Sequence, residues 1–337
     1  MNRRALAVLL GVAIVSLLLL GGSFDQQSRL AMNTPVGGEG PRLVTIEPGT
    51  TLASLSRRLE TEGFVSDNLY FRWRARWQGD AGRIQAGTYE ALPTDTPAGL
   101  LRKFVRGDTK TFAVTFVEGT RFVDMLTTLA DHPYIEHTLA GLDEAAIMAA
   151  LGRPEQRAEG RFFPSTYHFK AHTADRELLA RALADMDRRL EAAWQQRRAE
   201  LPYASAYEAL IMASIVEKET ARPEERAAIA GVFVRRLRKG MKLQTDPTVI
   251  YGLGEAYDGN LRRADLERDT PWNTYTRAGL PPTPIALPGQ AAIDAALQPA
   301  EGEALYFVAR GDGSHQFSAS LAEHDDAVRR YQLRASR

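Results

Sequence analysis

The sequence predicts an α+β protein: an N-terminal transmembrane helix, a small α/β module, then a mixed and mostly helical domain that closes on a C-terminal β-hairpin. Three observations carry this. Ala5 through Phe24 contains no charged residue. A strand, a Gly-containing turn and an amphipathic helix occur twice within the first 130 residues. Further on, Ala209 to Val216 is apolar on nearly all faces, which marks a helix packed in a core.

The first element follows from length alone. Twenty uncharged residues span ~30 Å as a helix, the thickness of a bilayer's hydrocarbon core. A cleaved signal peptide has the same basic start but a shorter apolar run and an A-x-A-like end. Here Leu17-Leu18-Leu19-Leu20 runs into Gly21-Gly22-Ser23-Phe24-Asp25, a poor cleavage site. The expectation is therefore an uncleaved anchor over 5–24. Arg3 and Arg4 favour a cytoplasmic tip, 1–4, and send the remainder across the membrane, in a bacterium to the periplasmic side of the inner membrane. Residues 25–42, with Gly37-Gly38-Glu39-Gly40-Pro41, read as a polar linker, and regular structure should begin near Leu43.

Composition narrows the function classes. The 337 residues carry 42 Lys+Arg against 42 Asp+Glu, so no bulk charge draws the chain to nucleic acid. The absence of cysteine excludes a disulfide scaffold, a Cys-ligated zinc or iron–sulfur site, a thiol nucleophile and a lipidated N-terminal Cys.

The repeated unit comes next. Val44-Thr45-Ile46-Glu47-Pro48-Gly49-Thr50 precedes Leu52, Leu55 and Leu59; seventy residues on, Val114-Thr115-Phe116-Val117-Glu118-Gly119-Thr120 precedes Phe122, Met125, Leu126 and Leu129. Each reads as strand, turn and helix. Between them Tyr70–Trp77 reads as a helix and Gln85–Tyr89 as a strand. This segment, about 43–110, resembles LysM-type modules, which bind N-acetylglucosamine polymers; a small α+β packing unit is the plain alternative. Asp131–Glu200 reads as mainly helical, broken by Glu159-Gly160-Arg161-Phe162-Phe163-Pro164-Ser165-Thr166-Tyr167, a cleft wall or a buried loop. His168 and His172 have a metal-compatible spacing on a helix, but Pro164 and the residues between them argue against a helix there, and no metal motif is present.

The chemistry concentrates at Ser214-Ile215-Val216-Glu217-Lys218-Glu219-Thr220. Pro223 should stop this helix near Arg222, and a second helix, about 224–239, should end at Gly240. At 100° per residue Glu219 shares a face with Met212, Ile215 and Val216. Burial and the negative end of the helix both disfavour its charged form, which suits a general acid; Lys218 and Arg222 pull the other way. Glu217 lies about 200° round the wheel, so the two cannot flank one glycosidic bond in the manner of a hydrolase pair. One carboxyl should be chemical and the other structural. Downstream, Leu243-Gln244-Thr245-Asp246-Pro247 through Tyr251-Gly252, Asn273-Thr274-Tyr275 and Gly279-Leu280-Pro281-Pro282-Thr283-Pro284 supply amides, hydroxyls, aromatic faces and a stiff Pro-rich wall. Such groups suit a sugar polymer, with ordinary turn chemistry as the alternative. Leu305–Ala309 and His315–Ser318 read as the hairpin around Gly311-Asp312-Gly313, with a helix from about Ser320; His315 reads as a surface turn residue.

These segments together resemble, in order and spacing, the signatures of the YceG-like family of endolytic murein transglycosylases (MltG). The resemblance runs from the anchor almost to the C-terminus. It implies an inner-membrane protein with a LysM-like subdomain and a catalytic domain, 111–337, in the periplasm. It further implies cleavage of the β-1,4 bond between N-acetylmuramic acid and N-acetylglucosamine inside glycan strands, leaving 1,6-anhydromuramic ends, with no cofactor. One carboxyl would protonate the leaving oxygen and then take the proton of the muramyl C6 hydroxyl as it attacks C1. Other lytic transglycosylases carry Glu before Ser at a helix end; Glu219-Thr220 is the similar pair, so Glu219 is the expected catalytic residue and Glu217 the secondary candidate. By the same resemblance Gln244, Asp246, Tyr251, Asn273 and Tyr275 are expected to position glycan, with a packing or turn role standing beside each. The expected partners are peptidoglycan strands and the inner membrane, with peptidoglycan synthases as candidates. The alternative function is a non-catalytic, membrane-anchored peptidoglycan-binding scaffold, in which Glu219 is dispensable.

Overall fold

The computed structural model describes residues 3–333, with side chains from Val8 to Gln332. Met1 and Asn2, the start of the expected cytoplasmic tip, lie outside the described residues, as do the side chains of Arg3 and Arg4 and the last residues, 334–337. The protein is α+β, with about half of the described residues helical. It divides into two compact units, 3–112 with 169–171 and 113–168 with 172–333.

The first unit begins with α1 (Arg3–Asn33). Val8 to Leu20 expose their apolar side chains, as a helix meant for lipid would. The helix does not stop at Phe24: it continues through the residues read as linker until Asn33, because Ser28 and Met32 are buried, Met32 against the core of this same first unit. β1 (Arg42–Ile46) leads to α2 (Leu52–Thr61) and α3 (Asn68–Trp77). β2 (Gly87–Ala91) pairs antiparallel with β1, Val44 opposite Tyr89, and α4 (Pro97–Arg106) follows. Thr51, Asp67 and Thr96 start the three helices as N-caps, each accepting a backbone N–H of the first turn. Val44, Leu55, Leu59, Phe71, Tyr89 and Phe104 fill the core. Tyr89 is fully buried and donates its hydroxyl to the Gln85 carbonyl at 2.8 Å.

β3 (Thr111–Thr115) opens the second repeat and α5 (Phe122–Ala130) follows it. The region read as mainly helical holds only two helices, α6 (Glu144–Ala150) and α7 (Asp175–Gln195). The rest is loop and three short strands, β4 (Ile135–Glu136), β5 (Thr166–Lys170) and β6 (Thr173–Ala174). The reason is a period of two: Tyr167 and Phe169 turn inward while Thr166, His168 and Lys170 face out. β5 pairs with β3, and β4 lies parallel to β6. His168 therefore sits in a strand and His172 at a left-handed turn residue, φ 64°, not one turn apart on a helix.

α8 (Ala206–Glu219) is the axis of the second unit. Ser205 caps it, eight consecutive residues from Ala209 to Val216 are buried, and Thr220 is extended, so the helix stops on Glu219. A 3-10 turn, Pro223–Glu225, leads into α9 (Arg226–Arg238), which ends before Gly240 at φ 66°. α10 (Asp246–Leu253) and α11 (Arg263–Glu267) precede the Pro-rich segment, and α12 (Gln290–Leu297) follows it. α7, α9 and α12 pack round α8 with Met186, Ile229, Phe233, Ile293 and Ala296. The Pro-rich stretch runs extended and largely buried beside α8: the one core hydroxyl of α8, Ser214, donates to the Ile211 carbonyl and accepts the Ile285 N–H at 3.0 Å. Gly160 makes this possible, since its φ is 76° and a Cβ there would lie 2.3 Å from Pro284. β7 (Tyr306–Ala309) and β8 (His315–Ser318) pair antiparallel, Phe307 opposite Phe317, and α13 (Leu321–Val328) packs on both.

Candidate active site

The two carboxylates at the end of α8 face different surroundings. Glu217 turns toward α12: its Oε2 accepts the Gly289 N–H at 3.0 Å and its Oε1 lies 3.4 Å from Arg226 Nη2. The side chain is only 6% exposed, and Gly289 is the N-cap of α12, where backbone N–H groups lack internal partners. Burial raises the Glu217 pKa, opposed by that N–H and by the Arg226 guanidinium.

Glu219 points instead into a cavity of about 430 Å³, lined with it by Arg236, Gln244, Asp246, Tyr275 and His315 among others. Burial pushes its carboxyl up to about 7, and the negative charge of Asp246 adds to this; the Thr245 hydroxyl, which donates to Oε1, and the neighbouring His315 and Arg236 side chains oppose it. A carboxyl near 7 can both give and take a proton at neutral pH.

A buried hydroxyl ladder fixes Thr245. Its N–H donates to Thr274 Oγ1 at 3.1 Å, its carbonyl accepts from Thr248 Oγ1 at 2.7 Å, and the Thr248 and Thr274 hydroxyls are 2.9 Å apart. All three threonines are buried, so these bonds form out of competition with water. Gln244, just before, has φ 51°, one of three non-glycine residues with positive φ among the described residues. Such a backbone costs about 1–3 kcal/mol, and the Gln244 N–H bond to the Thr274 carbonyl, 3.1 Å, helps hold it. The Gln244 side chain is left exposed on the cavity. Asp246 starts α10 and accepts the Tyr275 hydroxyl at 2.5 Å.

The structure thus brings Glu219, Gln244, Asp246 and Tyr275 to one cavity. It places two expected glycan residues elsewhere. Asn273 is fully buried; its Nδ2 donates to the carbonyls of Leu266 and Arg268, and its Oδ1 accepts the Tyr275 and Thr276 N–H groups. It has no atom to offer a ligand and acts by fixing the turn that carries Tyr275. Tyr251 lines a neighbouring cavity of about 300 Å³ with Arg121, Glu144, Arg157, Glu159 and Trp272, and its hydroxyl donates to Glu159 Oε2 at 3.2 Å. Burial raises Glu159 to about 7 despite bonds from the Phe122 N–H and Tyr251.

Three residues absent from the sequence assignment complete the Glu219 cavity. Thr245 was hidden between two assigned neighbours. Arg236 follows Ile229, Val232 and Phe233 at helical spacing, a cation on an apolar face, which was the available signal; its Nε and Nη1 donate to the carbonyls of Leu305 and Leu243, and Tyr306 lies under its guanidinium. His315, read as a surface turn residue, has a largely buried side chain and lines the cavity. Its Nδ1 is 2.7 Å from Glu225 Oε2, and its N–H donates to Glu225 Oε1, which leaves Nε2 for a ligand. Nothing in the local sequence joins positions 225 and 315.

Residues 44–330 match the YceG-like family profile. The chain belongs to the YceG-like family. Among its relatives, a Bacillus subtilis protein named endolytic murein transglycosylase is 28% identical over 93% of this chain and 91% of its own length. A protein of the same name from Streptococcus pneumoniae is 28% identical over 94% of this chain, which spans 63% of that longer relative. The crystal structure of a yceG-like protein from Listeria monocytogenes superposes on this YceG-like chain with a TM-score of 0.52 and 28% identity, covering 85% of this chain and 98% of that one.

Proposed function

We propose that this protein is an endolytic murein transglycosylase, a peptidoglycan lyase that cuts the N-acetylmuramic acid–β-1,4–N-acetylglucosamine bond within glycan strands. The single observation that carries the mechanism is the divergence of the α8 carboxylates: Glu219 alone faces the cavity, with its carboxyl at about 7, while Glu217 is tied to Gly289 and Arg226. Glu219 protonates the leaving oxygen as the C1–O bond breaks. The resulting carboxylate takes the proton of the muramyl C6 hydroxyl as that oxygen bonds to C1. One proton moves from O6 to the leaving oxygen through one residue, no water is consumed, and the product ends in a 1,6-anhydro ring.

The surrounding groups suit this sequence of steps. Thr245 orients the carboxyl and favours its charged form between the two transfers. Asp246, fixed by Tyr275, presents negative charge toward the cationic character that develops at C1. Gln244 and Tyr275 position the sugar. The N-terminal helix serves as a single inner-membrane anchor with its tip in the cytoplasm and both units in the periplasm, and the β1–α4 region acts as a LysM-like glycan-binding module. Tethered there, the enzyme would trim or terminate nascent strands beside the synthases. A pure scaffold is the less favoured reading, because it gives no reason to bury a carboxyl at a cavity. The test is release of anhydromuropeptides from purified strands by Glu219→Gln and Glu217→Gln, read beside thermal unfolding. Loss of activity in the first alone supports the assignment; a dead Glu217→Gln with an active Glu219→Gln reverses it.

A further inference from the structure

The aromatic cluster where α1 leaves its apolar stretch has no part in the chemistry above. Charges begin at Asp25, which pairs with Arg29 at 2.7 Å, so Phe24 is the last residue of the uncharged run. Phe24 packs against Tyr70 and Trp73 of α3, ring centroids 5.1 and 5.3 Å away, and Tyr70 donates its hydroxyl to Gln27 at 2.7 Å. The contacts step in opposite directions along the two helices, Tyr70 beside Gln27 and Trp73 beside Phe24. One turn further, Trp77 falls level with Leu20, in the lipid-facing run. Trp77 stacks on Trp73 at 5.9 Å and is 67% exposed; Leu69 is 59% exposed. α3 also carries Arg72, Arg74 and Arg76 and no acidic residue, and among the described residues none of the three is in an ion pair. Arg74 lies over the Trp77 ring at 5.2 Å.

We infer that α3 is a membrane-interface helix: Trp77 and Trp73 enter the headgroup level of the bilayer that α1 spans, and Arg72, Arg74 and Arg76 bind its anionic phospholipid headgroups. Amphipathic rings favour that level, and clustered arginine is drawn to anionic lipid. An exposed tryptophan beside unpaired cations, continuous with a lipid-facing helix, fits this occupant by both shape and charge. The surface sets the angle and height at which the first unit stands on the membrane. This rests on reading α1 as an anchor.

The test uses the full chain in phosphatidylethanolamine–phosphatidylglycerol vesicles containing lipids brominated near the headgroup end of the acyl chain. Retention after alkaline carbonate washing tests the anchor, and tryptophan quenching tests the surface. The expected result is retained protein whose emission is quenched, with Trp77→Phe removing at least half of the quenching. Replacing Arg72, Arg74 and Arg76 together by Gln should leave retention intact, cut quenching at least twofold and abolish its dependence on phosphatidylglycerol. Retained protein with unquenched emission, or quenching unaffected by Trp77→Phe, overturns the surface while sparing the anchor. Lipid-insensitive emission that shifts to the blue as the chain dimerises gives the face to a second copy, and also overturns it. Release by carbonate contradicts the anchor and the surface with it.

Discussion

Glu217 and Glu219 are two positions apart and differ in almost every physical respect. The first is a buried acceptor at the start of α12, the second an acid in a cavity. Glu217→Gln keeps an acceptor for the Gly289 N–H but leaves the largely buried Arg226 without its counter-charge, so it should lower stability by about 1–3 kcal/mol while activity per folded molecule persists. Chemical denaturation of the purified variant measures this. Glu159 gives a second prediction. Its pKa is raised from the usual 4.5 to about 7, so the folded state holds this proton more tightly than the unfolded one. Its stability contribution is then complete below pH 4.5 and disappears as pH rises through 7, a change on the order of 3 kcal/mol. Glu159→Gln should unfold at a higher temperature than the parent at pH 8, with the gap closing at pH 5; a gap independent of pH contradicts the assignment.

At the scale of elements, the loop before α10 acts on the end of α8. The Thr245 hydroxyl stabilises the charged form of Glu219, so Thr245→Val should raise the Glu219 pKa further. If the protonated acid is the reactive form, the falling alkaline limb of the pH–rate profile should move up by about one unit, with folding preserved because Val keeps the shape. A limb that stays in place, or moves down, contradicts the role given to Thr245. The elements also show what sequence can reveal. The stop of α8 was legible because Pro223 restricts its neighbour, the end of α9 because Gly240 takes a left-handed φ, and the opposition of the two glutamates because it follows from helical geometry. β5 was missed inside an expected helical stretch because five alternating residues give a weak signal between longer patterns. Asn273 shared its sequence neighbourhood with Tyr275, and only the fold tells the buried clasp from the half-buried ring on the cavity. His315 could not be placed, since its partner Glu225 is ninety residues away.

Across the whole molecule, the repeat read from sequence reappears as β1–α2 and β3–α5, and the cavity that Glu219 faces is lined by residues of the second unit. Deleting 43–110 should then weaken binding to intact sacculi while some cleavage of short strands remains; unchanged sacculus binding would return that region to a structural role. In the proposed reaction one carboxyl moves a single proton from O6 to the leaving oxygen without water. Mass spectrometry of glycan strands cleaved in ¹⁸O-labelled water tests it most directly. New ends should be one water lighter than a reducing sugar and carry no label, made by the parent protein and absent with Glu219→Gln. Labelled reducing ends, or anhydro ends undiminished in Glu219→Gln, would contradict it.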